Sequence, residues 1–172
     1  MKSMEDARDC LYSLIDQNYE RAVQIQRVWM KKIAEREVRR TYSTERNKEK
    51  TNYEFRIELS TIGFACRWVR IQFVKHGLKI TRVVHTVAMP ESGKYRASQF
   101  KHAEPWELEL ITQMEESLGK IRSQVKLLTK AHQSLIASSK HSEFAKPIQS
   151  VAIKHRVEPS PYSIKQFKSE YR

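Results

Sequence analysis

The chain of 172 residues is poor in the residues that most often announce an activity. It has four glycines and two cysteines. So few glycines leave no room for a Gly-rich nucleotide loop. Ser92-Gly93-Lys94 resembles the end of a phosphate-wrapping loop, but the position five before Gly93 is Ala88, and without a glycine there the loop cannot close on a phosphate. Cys10 and Cys66 match no CxxC pattern, and each reads as a reduced, buried thiol in a cytosolic protein. The six histidines are scattered without HxH or HExxH spacing, so no metal site or other cofactor is expected. There is no G-x-S-x-G elbow and no Cys–His signature. No apolar run approaches the roughly 20 residues that cross a bilayer, and the first residues lack the apolar core of a secretory signal. These absences argue against an enzyme and against a membrane protein.

What the chain has in excess is positive charge, and the excess is local. The net charge is +12, of which residues 40–103 carry +8 and residues 140–172 carry +4; residues 1–39 and 104–139 are nearly neutral. A localised excess of this kind suits a polyanion.

The strongest periodic signal runs from Pro105 to Ile136. Ile111, Leu118, Val125 and His132 recur every seven residues, and Met114, Ile121, Leu128 and Leu135 form the companion row. Residues three and four apart share one helix face, so this is a helix with a narrow seam of coiled-coil type. Pro105 suits the first helical position, and Gly119 weakens the rod by about 1 kcal/mol relative to alanine. About 32 residues span roughly 45 Å. A second amphipathic pattern, without Gly or Pro, covers Met4 to Arg39 through Leu11, Ile15, Ala22, Ile25, Trp29 and Ile33, widened by Leu14, Tyr19, Val23 and Val28. The matched lengths predict that the two helices pack antiparallel. Each seam can also serve a second copy, so a homodimer is expected as well.

Between them the period changes to two. Tyr53, Phe55, Ile57 and Leu59 alternate with polar residues, Phe64 to Val74 is rich in aromatic and β-branched residues, and Leu78 to Val87 follows a His76-Gly77 turn. Phe64, Cys66 and Trp68 are apolar on one parity, while Val69, Ile71 and Phe73 are apolar on the other. A bulge near Trp68 would reconcile them. The expected architecture is α+β: a three-stranded antiparallel sheet inserted between two long helices (residues 1–139), followed by a partly ordered tail (residues 140–172). In the tail Val151, Ile153 and Val157 suggest a short strand, and Ser160-Pro161 opens a short helix bearing Ile164, Phe167 and Tyr171.

The basic side chains Arg67, Arg70, Lys75, Lys79 and Arg82 fall on or beside the second hairpin, and Lys94, Arg96 and Lys101 follow in the linker. A two-stranded ribbon fits the major groove, and arginine forks suit phosphate oxygens and guanine edges, so these eight are the candidate contacts to double-stranded DNA. The bland alternative is that strands carry Lys and Arg on their wet face to prevent edge pairing. The tail cations Lys154, Arg156, Lys165 and Lys168 are the competing DNA clamp.

Ser92-Gly93-Lys94-Tyr95, Phe100-Lys101, Trp106-Glu107-Leu108-Glu109-Leu110-Ile111 and Ile121-Arg122 together resemble the MobI proteins of conjugative plasmids and integrative elements. The resemblance covers about residues 92–135. It implies a small cytoplasmic protein needed to start DNA transfer, acting at the origin of transfer beside a relaxase, without making the nick. It carries no functional residue over to this chain. The alternative is a protein-interaction adaptor or small dimeric regulator whose basic surface meets an acidic protein, and a small nuclease ranks third.

Overall fold

A computed structural model describes residues 3–144 and 146–171. The first helix, α1 (Met4–Tyr42), starts at a capping box in which the Asp6 N–H donates to Ser3 Oγ and the Ser3 N–H donates to the Asp6 carboxylate. After a loop come the strands β1 (Tyr53–Leu59), β2 (Phe64–His76) and β3 (Lys79–Thr86), then α2 (Pro105–Ser139) and, in the tail, α3 (Ile164–Glu170). Strand order is β1-β2-β3, all antiparallel. Tyr12 near the start of α1 meets His132 near the end of α2, and Arg36 near the end of α1 lies over Trp106 at the start of α2. The helices therefore pack antiparallel, as their stripes predict.

The seam of α2 is filled from within the chain. Ile111, Met114, Leu118, Ile121 and Val125 are buried together with Ile15, Tyr19, Ala22, Trp29 and Ile33 of α1. The stripe of α1 sits differently from its sequence reading. Leu14 and Val28 are exposed, whereas Tyr12, Asn18 and Gln26 are buried. Polar residues take interior places there because neighbouring elements cover that face, which helical periodicity does not register.

Trp68, wholly buried, joins the sheet to both helices. It meets Trp29 of α1 edge-on at 6.2 Å, packs on Phe55 and Phe100, and donates its indole N–H to Glu115 of α2 at 2.7 Å. Glu115 also accepts the Tyr95 N–H at 3.0 Å and both terminal nitrogens of Arg122 at 2.7 and 2.8 Å. Arg122 donates further to the carbonyls of Cys66 and Gly93, and it lies 4.8 Å from the centre of the Tyr95 ring. This buried pair has nearly every donor and acceptor engaged, so its desolvation is compensated. Gly93 makes its turn at φ +73°, and the following Lys94 stem lies on Gly119, where an added Cβ would stand 3.2 Å from Lys94 Cβ. The missing side chain at Gly119 thus leaves room for the Lys94 stem against α2.

Two buried ionisable groups give folding a pH dependence of opposite signs. Glu107, in the first turn of α2, accepts the Asn52 and Tyr53 N–H groups at 2.9 Å each, and its other oxygen is buried without a partner. Burial pushes its carboxyl up to about 7 from an ordinary 4.5, so stability is lost as pH rises through that window, by about 3 kcal/mol in all. Tyr12 Oη accepts the Val151 N–H at 2.7 Å and is hydrogen-bonded to His132 Nε2 at 3.0 Å. Burial and the charges of Arg156 and Arg8 hold His132 below its ordinary 6.5. Its contribution is therefore lost as pH falls below that value. In urea titrations, Glu107→Gln should gain on wild type as pH is raised from 4.5 to 7. A variant that tracks wild type across that range would refute the assignment.

Three expectations are corrected. Cys66 is buried, but Cys10 is exposed, since its place on α1 lies outside the packed face. No bulge interrupts β2: its register with β1 runs unbroken from Tyr53–Arg70 to Leu59–Phe64, and with β3 from Val69–Thr86 to His76–Lys79. The apolar parity changes because β2 leaves the body. β1 covers it only to Arg70, and beyond that β2 and β3 project as a two-stranded arm. Val151, Ile153 and Val157 form no strand. Ile153–His155 is a single 3-10 turn, and Ile153 is buried with its N–H on the Thr61 carbonyl.

Candidate nucleic-acid interface

The arm comprises β2 from Ile71 to His76, the turn at Gly77 (φ +60°) and β3. Six residues beyond the end of β1 extend about 20 Å at strand rise. From Leu59 to Pro90 the chain contains no Asp or Glu, while Arg67, Arg70, Lys75, Lys79 and Arg82 fall within that stretch. The strand pairing distributes these cations. Phe73 faces Arg82 and Lys75 faces Ile80, so Lys75 and Arg82 share one face of the ribbon, with Arg67 on the same parity at its root. Arg70 and Lys79 lie on the opposite parity, with His76 and His85. A ribbon lying in a DNA groove has a phosphate strand along each side, and cations on both faces match that geometry.

The eight candidates do not form one surface. Lys75 and Lys79 are exposed on the arm and make no ion pair among the described residues. Arg82 donates to Glu54, whose carboxylate also receives Arg56. Arg67 is half exposed and 3.4 Å from Glu58. Arg70 is half-buried and donates to the Gln72 side chain at 2.7 Å. Lys94, Arg96 and Lys101 are exposed and belong to the linker that packs on α2. Trp68, Tyr95 and Phe100, the aromatics interleaved with these charges, are core residues and offer no stacking face. The tail cations also divide. Arg156 is held by Asp16 at 2.9 Å and by the Ile62 carbonyl, which makes it a strut of the fold, and Lys168 pairs with Glu37. Lys154 and Lys165 remain exposed.

Sequence reading missed a second basic cluster. Arg40, Arg46 and Lys50 come from the end of α1 and its following loop, and they meet Lys165 and Lys168 of α3 around a groove of about 1200 Å³ beside the arm. Nothing in the spacing of these residues signals it, since more than 110 positions separate the two groups.

Among the described residues no group of three or more His, Cys, Asp or Glu side chains could hold a metal ion, and no helix is long and apolar enough to cross a membrane. Burial pushes the Cys66 thiol up to about 12, so it stays protonated.

In comparisons with known proteins, the family model described as MobI protein matches residues 19–136. The match takes in most of α1, the whole sheet and nearly all of α2, well beyond the linker and helix on which the resemblance rested. No curated protein and no solved structure matches the chain.

Proposed function

Because this chain belongs to the MobI protein family and is therefore related to conjugative mobilisation, we propose that it is a DNA-binding accessory protein of conjugative transfer. It holds duplex DNA at the origin of transfer on the β2–β3 arm and works beside a relaxase, binding without cutting. The observation that carries this reading is the arm itself: a projecting ribbon with cations on both faces, drawn from a stretch with no acidic residue. A major groove about 12 Å wide admits such a ribbon, and a reach of about 20 Å is enough to enter it. The buried lock of Glu115, Arg122 and Tyr95 supports the reading indirectly, since it fixes the root of β2 and so aims the arm.

Each phosphate contact releases counterions, so its loss lowers the slope of log affinity against log salt by about 0.9. Titration of a labelled origin-of-transfer duplex at several salt concentrations should give a slope lower by about 2–3 for Lys75→Ala/Lys79→Ala/Arg82→Ala than for wild type. Lys94→Ala/Arg96→Ala/Lys101→Ala should bind nearly as wild type does. Equal slopes for wild type and the arm variant would overturn the assignment. Loss of binding only on substituting Lys154 and Lys165 would move the contact to the tail.

A further inference from the structure

The arm has an open edge as well as basic faces. β1 stops at Tyr53, and the last bond on that side of β2 runs from the Ile71 N–H to the Asn52 carbonyl at 2.8 Å. Alternate residues of a strand turn their N–H and C=O groups to the same side, so Phe73 and Lys75 present theirs where β1 would have continued. β3 occupies only the other edge. The 1200 Å³ groove lies along this vacancy. Its lining takes Tyr53 from the helix-facing side of the sheet and Glu54, Ile71 and Phe73 from the other, which places it against the strand edge. Ile33 and Ile164 extend the apolar floor, and Phe73 and Ile80 stand 57% and 65% exposed over it.

The rim is basic. Arg40, Arg46, Lys50, Arg82, Lys165 and Lys168 surround the floor, against Glu37 and Glu54 alone, and both of those carboxylates are already paired within the chain. An unprotected strand edge flanked by apolar side chains is a template for another strand.

We propose that this groove is the docking site of an extended, acidic segment of a partner protein, which adds to the sheet as a strand along β2 between Gln72 and His76. Its backbone would pair with Phe73 and Lys75. Alternate apolar side chains would rest on the Ile71–Phe73 floor, and the intervening carboxylates would face Arg40, Lys165 and Lys168. A second copy of this chain is a poor occupant, because it would set one basic rim against another. Single-stranded nucleic acid is also a poor fit. Such binders stack successive bases on exposed rings, and of the aromatics lining the groove Trp29 and Tyr53 are each only 1% exposed, leaving Phe73. The inference draws mainly on other residues than the DNA reading: Arg67, Arg70, Lys75 and Lys79 do not line the groove, Lys75 enters it through its backbone, and Arg82 is the arm cation common to both.

The test uses the full chain and a fluorescein-labelled peptide of alternating glutamate and valine, with a lysine–valine peptide and a single-stranded oligonucleotide as comparators. The glutamate peptide should bind and the lysine peptide should not. Binding should slow exchange of the Phe73 and Lys75 amides while leaving those of Gln72 and Val74, which face β3, nearly unchanged. Lys165→Glu/Lys168→Glu should weaken binding by about tenfold, as expected for reversing two charges at a partly wet rim. Lys75→Pro removes one edge donor without touching the β3 ladder and should also weaken binding. Circular dichroism melts of both variants establish that they are folded. No binding of the glutamate peptide, binding that leaves the Phe73 and Lys75 amides unprotected, or preference for the oligonucleotide would each overturn the proposal. DNA affinity of Lys165→Glu/Lys168→Glu, measured in parallel, keeps the two readings separate: the groove fails if peptide binding is absent while the arm still binds duplex, and the arm fails in the reverse case.

Discussion

Glu115→Ala is expected to cost about 3–5 kcal/mol of folding stability, as does removal of one partner from other buried ion pairs. The reason lies in what the substitution strands. Arg122 would keep its charge in the interior, its side chain only 8% exposed, and the Trp68 indole N–H and the Tyr95 N–H would lose their acceptor together. Arg122→Ala should cost a similar amount, because it leaves the Glu115 carboxylate without its bidentate partner and the Cys66 and Gly93 carbonyls without their donor. The two losses should not add. The double replacement Glu115→Leu/Arg122→Met removes both charges at similar volume and should lie closer to wild type than either alanine variant. Urea midpoints of the four proteins check this. Additive single-variant costs would mean that the pair does not act as a unit.

The second large effect concerns the tail. Ile153→Asp is expected to cost several kcal/mol, since it places a carboxylate at a position with no exposure in the main core. The segment around it is strapped down by bonds of long sequence range. The Ile153 N–H donates to Thr61, the Val151 N–H to Tyr12, and the Tyr19 hydroxyl to the Glu158 carbonyl. Arg156 reaches Asp16 and lies 3.9 Å from the centre of the Tyr12 ring. Leu78→Asp, at the fully exposed tip of the arm, is the matched control and should change stability by no more than about 0.5 kcal/mol. If Ile153→Asp melts like wild type, the segment does not dock in solution.

The residues on which the family resemblance rested take on a physical meaning in the fold. Gly93, Tyr95 and Arg122 hold the linker to α2, Phe100 packs the linker on Trp68 and Tyr53 of the sheet, and Trp106 and Glu107 hold α2 to the Lys48 carbonyl and to the start of β1. They form an internal lock, and the surfaces proposed to meet partners lie elsewhere, on the arm and its groove.

The periodic pattern of the chain by itself determined the two long helices, the three strands and the antiparallel order, because those depend on spacing along a single element. Ile111, Leu118 and Val125 are seven apart on any helix, whatever they meet. The concentration of charge in residues 40–103 was equally legible. Only the tertiary structure decided which of those charges act together. Lys75 and Lys79 ride on an arm because the pairing of β1 with β2 extends only to Arg70 while β2 runs on to His76. Glu107, Glu115 and His132 read as exposed or marginal residues by type, yet their partners, at Asn52, Trp68 and Tyr12, lie 47 to 120 positions away. The groove rim likewise joins Arg40 and Lys50 to Lys165 and Lys168. Local spacing carries no information about such pairs, because they exist only once elements distant along the chain have packed together.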